Sequence, residues 1–292
     1  MRTRTSGGGG KDVAVMIPQD RYIDAGTIKV RYWALGEKGS PVILIHGLGA
    51  SAEIWMHDVE ALSIHHRVYV PDLVGFGKTG KPEREYTPAL FITFLHEFIR
   101  ALKIETPTLI GNSLGGGIAL QYALLYPHNV DKLVLVDSAG LGIDAPLSLR
   151  IVSLPLVGEL LARPSRIEAY VYFRGAVYDR SLLTKEFVDI YHKIHAQPGN
   201  QESLLKVIRA LVSFRGGHAE MLNPVLTNLD RIRHPTLILW GRQDKVLPLS
   251  HAYVAQRTIP HSVLHIFDKC GHMPQFEKPE EFCRVVLEFL AQ

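Results

Sequence analysis

The sequence predicts an α/β fold: a mostly parallel central sheet with helices on both faces, plus an inserted helical cap. Three observations predict it. Short, nearly all-apolar runs such as VILI at 42–45, LVLV at 133–136 and LILW at 237–240 read as strands covered on both faces. Longer amphipathic segments alternate with them, the rhythm of strand–helix–strand units. One stretch, 141–231, breaks that rhythm and carries helical patterns alone.

The elements follow in chain order. The leader MRTRTSGGGGK, Met1 to Lys11, is charged and then glycine-rich, with no apolar stretch behind it. It is not a secretory signal, and residues 1–19 are read as flexible. Strands are expected at Ile28–Tyr32, Pro41–Ile45, Val68–Pro71, Thr108–Ile110, Leu133–Val136, Thr236–Leu239 and Val263–Phe267. Helices are expected at Ile54–Leu62, Ala89–Leu102, Leu114–Tyr126, Ser250–Thr258 and Pro279–Leu290. The last opens with Pro279 at a helix start and Glu280 and Glu281 in its first turn, where carboxylates suit the helix dipole. Residues 20–140 and 232–292 thus form the core, and 141–231 the cap. Cap helices are expected around Ser148–Leu161, Ile167–Arg174, Lys185–His195 and Gln201–Phe214, punctuated by Pro155, Pro164, Pro198 and Gly216–Gly217.

Composition narrows the function classes. The 292 residues are 47% hydrophobic and 21% charged, which fits a globular chain with a real core. The 32 basic and 29 acidic side chains leave +3, too little for a nucleic-acid footprint. Cys270 and Cys283 lack CxxC spacing and are expected to be buried or idle thiols. No apolar run reaches the ~18–20 residues a spanning helix needs. A cytoplasmic protein with a small-molecule substrate is expected, and assembly into a homo-oligomer is left open.

The chemistry starts after the strand Thr108–Ile110, where Gly111-Asn112-Ser113-Leu114-Gly115-Gly116-Gly117 leads into a helix. This is G-x-S-x-G in the strand–turn–helix setting that exposes a serine hydroxyl above a sheet. A serine needs a base to take its proton and an acid to orient that base. Asp244 follows the strand ending at Trp240, and His272 follows the strand ending at Phe267. All three side chains leave the carboxyl edge of the sheet, where α/β sheets place their sites.

These landmarks resemble the α/β-hydrolase superfamily from Ile23 to about Phe289. The matching segments are HGLG at 46–49, DLVGFGKT at 72–79, GNSLGG at 111–116, GRQDKVLP at 241–248 and GHMPQFEKPEEF at 271–282. The resemblance implies a triad of Ser113, Asp244 and His272. Asp137, at the end of Val134–Val136, is the competing acid, because some relatives draw the acid from that earlier strand. An oxyanion hole needs two backbone N–H groups. Leu114, directly after the nucleophile, supplies one, and the resemblance points to Leu48 for the other. Asp72 is expected to cap the Gly75–Gly77 turn, and His46 to brace its loop. His192 and His195 are three apart on an expected helix but lack a third ligand motif, so no metal and no cofactor is expected.

The branch is less sharply marked. A serine nucleophile disfavours dehalogenase and epoxide hydrolase relatives, which attack with a carboxylate. Asn112 before Ser113, and the cap run VYDRSLLT at 177–184, resemble the hydrolases that cleave carbon–carbon bonds in ring-fission products. Two departures weigh against that reaction. Where that family carries an Arg-Trp pair on a cap helix, this chain has Tyr191 and His192; where it carries tryptophan after the histidine, this chain has Met273. Arg174 or Arg180 could supply a cation instead. Asn112, Met273 and Tyr191 are therefore the expected substrate-binding residues. The expected activity is hydrolysis of carboxylic esters with small to medium apolar acyl groups. Hydrolysis of a 2-hydroxy-6-oxo-dienoate is the alternative, and a slow-turnover ligand receptor is the alternative of another class.

Overall fold

Largely apolar strands are stable only where both faces are covered, and four strands that are apolar but for Thr108, Asn112 and Thr236 build the centre of this protein. The computed structural model describes residues 2–3, 15–218 and 224–292. Eight strands form the main sheet. They are β1 (Arg21–Ala25), β2 (Ile28–Leu35), β3 (Pro41–Ile45), β4 (Arg67–Pro71), β5 (Thr108–Asn112), β6 (Leu133–Val136), β7 (Thr236–Gly241) and β8 (Ser262–Phe267). Their spatial order is β1-β2-β4-β3-β5-β6-β7-β8. β2 runs antiparallel to β1 and β4, and the remaining pairs are parallel. Every residue of β3, β5, β6 and β7 is buried.

The side-chain period of two splits these strands between two cores. Ile43 and Ile45 face a cluster with Leu109, Leu133, Leu135, Ile238 and Trp240. Val42 and Leu44 face the other, with Ile110, Val134, Val136, Leu237 and Leu239. Helices α2 (Pro88–Ala101) and α3 (Leu114–Leu125) cover the first face, with α1 (Val59–Ser63) on the second. Thr87 caps α2 by accepting from the Leu90 N–H, with Pro88 at the first position, a start that needs no donor there.

Between β6 and β7 lie α4 (Leu147–Val152), α5 (Val157–Leu161), α6 (Arg166–Ala176), α7 (Lys185–His195) and α8 (Asn200–Leu211). Ser165 and Thr184 cap α6 and α7 with their hydroxyl oxygens. We propose that 141–231 acts as one cap. Its α8 packs with the first cluster, whereas α6 and α7 pack with the second. After β7 come α9 (Ser250–Thr258), β8, α10 (Pro274–Glu277) and α11 (Pro279–Leu290).

Three departures from the sequence expectations have physical causes. Strand β1 was not expected; its RYIDA is mostly exposed and carries too little apolar alternation to signal an edge strand. The helix expected at Ile54–Leu62 is a 3-10 turn, Ala52–Trp55, followed by the short α1, and the Asp72 carboxylate holds the Ala52 N–H at 2.8 Å. The helical stretch expected around Ser148–Leu161, with Pro155 as its punctuation, is α4 and α5, separated at Pro155 because its ring excludes a continuous helix. The helix expected to reach Phe214 stops at Leu211, where Val212–Ser213 pairs with Gly216–Gly217 in a hairpin. Most of the leader, residues 1 and 4–14, lies outside the described residues; Arg2–Thr3 pairs antiparallel with Val15–Met16. Both cysteines are free and buried. Among the described residues no helix is long and apolar enough to cross a membrane.

Candidate active site

The end of β5 hands the chain to α3 through Ser113, whose φ of 54° and ψ of −118° are strained for any residue but glycine. The surroundings hold it there. The Ser113 N–H donates to the Val136 carbonyl at 2.9 Å, and the Ser113 carbonyl accepts from Gly116, Gly117 and Ala139. Close approach explains two of the glycines. A Cβ at Gly111 would lie 2.3 Å from the Gly115 carbonyl, and one at Gly115 would lie 2.2 Å from that of Ile45.

His272 arrives from the loop after the edge strand β8. His272 Nδ1 lies 2.7 Å from Asp244 Oδ2. A carboxylate only accepts, so this nitrogen carries the proton and leaves Nε2 free to accept another. The other Asp244 oxygen accepts from the Val246 and Leu247 N–H groups at 2.7 and 3.1 Å. The histidine loop is itself fastened. The His272 N–H donates to the Ala176 carbonyl at 2.6 Å. Glu277 accepts from Gly271 N–H on one oxygen, and from Tyr178 and Asp179 N–H on the other. A Cβ at Gly241 would lie 1.8 Å from the Gly271 carbonyl, so only glycine lets the acid and base loops pack together.

Asp137 sits behind this pair. Its Oδ1 accepts from the Gly241 N–H at 2.9 Å, and the side chain is fully buried. Burial, and then the nearby Asp244 charge, push its carboxyl well above the usual carboxylate range, because two adjacent buried carboxyls do not both ionise. Donor atoms of Asp137, Asp244 and His272 all lie within 4.8 Å of one another. The 2.7 Å contact between His272 and Asp244 is a hydrogen-bond separation, too close to seat an ion with bonds of about 2 Å between them.

The loop after β3 faces the serine. A Cβ at Gly47 would lie 3.1 Å from the Ser113 Cβ, so a bare backbone there leaves room at the hydroxyl. Among the described residues, neither the Leu48 nor the Leu114 N–H donates to a backbone carbonyl, and Leu114 opens α3, where helix N–H groups lack partners. His46 braces this loop from within. Its Nδ1 lies 2.8 Å from the Gly47 carbonyl, and its Nε2 accepts from the Leu73 N–H at 2.8 Å. Burial lowers its pKa to about 4. Asp72 accepts from Lys78 N–H at 2.9 Å beside Gly77, which fits the expected turn cap; it also meets the buried Arg31 guanidinium at 3.0 Å.

The cap clamps the same loop from above. The Tyr172 hydroxyl donates to the Leu48 carbonyl, and His195 Nε2 lies 2.7 Å from the Gly49 carbonyl while its Nδ1 faces Glu168 at 3.1 Å. Sequence reading missed Tyr172, Glu168, Glu277 and this use of His195. Of these only Glu277 had a local signal, its place inside the GHMPQFEKPEEF segment.

A cavity of about 980 Å³ opens over Ser113 and His272. Ile54, Leu149, Ile151, Val152, Val171 and Phe173 are among its walls, and Met273 lines it as expected. A second chamber of about 130 Å³ shares Leu48 and Ser113 with it and reaches Gln121 and Leu211. One expectation needs correction. Tyr191 lines neither chamber; it is fully buried between α6 and α7, its ring 4.2 Å from that of Phe173 and 4.7 Å from that of Phe187. Asn112 lines the large cavity, but its amide nitrogen is spent on the Val136 and His272 carbonyls at 3.2 and 3.1 Å, so it ties the serine turn to the histidine loop. Arg174 and Arg180 are exposed and line neither chamber.

Comparison with known proteins agrees with this architecture. The sequence pattern of the Alpha/beta hydrolase family matches residues 42–285. The chain is 34% identical over 275 residues to a 2-hydroxy-6-oxo-2,4-heptadienoate hydrolase of Pseudomonas putida, covering 93% of this chain and 96% of that one. It is 33% identical over 279 residues to a 2-hydroxy-6-oxo-6-(2'-aminophenyl)hexa-2,4-dienoic acid hydrolase of Metapseudomonas resinovorans, covering 94% and 91%. A meta-cleavage product hydrolase from Pseudomonas fluorescens IP01 superposes with a TM-score of 0.80 at 34% identity, covering 94% of this chain and 98% of that one. The strand order, the serine turn and this match over most of the chain carry one conclusion: the protein is a hydrolase, a member of the alpha/beta hydrolase family.

Proposed function

We propose that the protein cleaves carboxylic esters of small to medium apolar acyl groups through an acyl-enzyme. Ser113 Oγ attacks the ester carbonyl while His272 Nε2 takes its proton, and Asp244 keeps the imidazole oriented and stabilises its charge. The N–H groups of Leu48 and Leu114 receive the oxyanion. His272 returns the proton to the departing alcohol, then activates a water that releases the acid and regenerates the serine.

The observation that carries this reading is the character of the large cavity. Apolar side chains surround Ser113, and among the described residues its lysine and arginine lining is Arg163 and Lys245, both exposed. Such a pocket suits an uncharged apolar group. The small chamber, which shares Leu48 and Ser113 with the large cavity, suits a compact second group.

A second reading rests on the relatives, whose printed activities are carbon–carbon hydrolases acting on dienoates. The same triad would serve it. An anionic dienoate wants a cationic partner, and Lys245, next to Asp244, and Arg163 are the cations on the cavity wall that could supply one. The deciding measurement is kcat/KM for p-nitrophenyl butyrate and for a 2-hydroxy-6-oxo-dienoate, each with a Ser113→Ala control. We expect the ester to lead by about 100-fold or more, a gap of ~2.7 kcal/mol in barrier, and Ser113→Ala to abolish both. A dienoate lead would replace the ester reading with the second one.

A further inference from the structure

The segment Leu154-Pro155-Leu156-Val157-Gly158-Glu159-Leu160-Leu161 carries one charge among six large apolar or proline residues, yet it is not buried. Leu156 is 84% exposed, Ile167 77% and Leu160 72%, with Leu147, Leu161 and Val171 also exposed. An apolar cluster of this kind on a monomer surface marks an interaction site. Leu156 is doubly unfavourable, because its φ of 66° lies in the left-handed region that leucine avoids. Neither burial nor local geometry within the chain explains a leucine there.

The position of the cluster says what covers it. Leu147, Leu160, Leu161, Ile167 and Val171 also line the large cavity over Ser113, so the exposed patch is the rim of that cavity's mouth. A second protein copy seated on the rim would close the entrance. A lipid surface would instead let an apolar substrate pass from an apolar phase into the cavity without crossing water. Arg163, in the same rim, is exposed and makes no ion pair among the described residues, which places a cation where lipid headgroups would lie.

We propose that helices α4–α6 dock on a lipid surface, and that the natural substrate is an apolar ester drawn from it. The substrate class rests on the ester reading above; the docking does not. The test uses phosphatidylcholine vesicles and the double variant Leu156→Asp with Val157→Glu. Neither residue lines the large cavity, and aspartate tolerates the left-handed backbone better than leucine. Flotation of the Ser113→Ala protein reads docking without turnover, and p-nitrophenyl palmitate carried in the vesicles reads delivery.

We expect wild-type sequence at these two positions to float with the vesicles and the double variant to lose about tenfold in partitioning, since burying even one such side chain is worth more than that factor. Palmitate turnover should fall with it, while p-nitrophenyl butyrate turnover stays unchanged. Protein that remains in the aqueous fraction, or a variant that floats equally well, overturns the proposal. So does a dimer that the double variant disperses, because the patch would then be covered by a second copy. Flotation lost in the variant, with butyrate hydrolysis absent throughout, would sink the ester reading and leave the docking surface standing.

Discussion

Two buried carboxyls near one histidine pose a question of division of labour. Asp244 touches His272 Nδ1 directly, and Asp137 touches the Gly241 N–H. Asp137 holds its proton above the usual range, so replacing it by an uncharged isostere changes little. We expect Asp244→Asn to lower kcat/KM for p-nitrophenyl butyrate by about 10³–10⁴-fold, the scale of losing the correct imidazole tautomer, and Asp137→Asn to stay within about tenfold. The reverse ranking would move the acid to the earlier strand. The serine, this pair of acids and the histidine were legible in the sequence because each follows an apolar strand. Tyr191 was misread for the opposite reason: its role depends on which side of α7 faces α6, and numbering along a helix does not carry that.

Elements act on the site through the cap clamp. Helix α6 reaches the oxyanion loop with the Tyr172 hydroxyl, and α7 reaches it with His195. Tyr172→Phe removes one hydrogen bond and keeps the ring, so stability should fall by only about 1 kcal/mol. The Leu48 N–H would lose its fixed aim, and a donor that matters only in the transition state shows in kcat rather than KM. We expect kcat to fall about tenfold with KM nearly unchanged; a change confined to KM would reduce Tyr172 to a cavity wall. No local pattern announces this contact, because Tyr172 lies inside the long insertion and Leu48 precedes it by 124 residues. The central strands were legible from apolar runs alone and the break between α4 and α5 from Pro155, whereas β1 depends on edge pairing.

For the whole molecule, buried titratable groups set the pH at which the fold is most stable. His46 is neutral in the fold with its pKa lowered to about 4, against ~6.5 for an unfolded chain. The unfolded state therefore binds the extra proton between these values. The His46 contribution is complete above ~6.5 and fades as pH falls toward 4, by about 3 kcal/mol in all. Asp137 and Asp58, both raised by burial, work in the other sense. Their contributions are present below the ordinary carboxylate pKa and fade as pH rises through their folded values. His46→Gln should therefore be less stable than wild type at pH 7, with the gap narrowing toward pH 4 in urea midpoints. Parallel curves would show that His46 does not titrate in this way.

The Asn112 amide has a wider consequence. By gripping the Val136 and His272 carbonyls together, it ties the Ser113 turn and the His272 loop to the rigid sheet, so their spacing inherits the stiffness of the strands and not the play of the loops. The cap then behaves like bodywork on a chassis. Its walls can be reshaped over generations to admit new molecules while the reacting centre beneath keeps its alignment, which is how one scaffold comes to serve many chemistries.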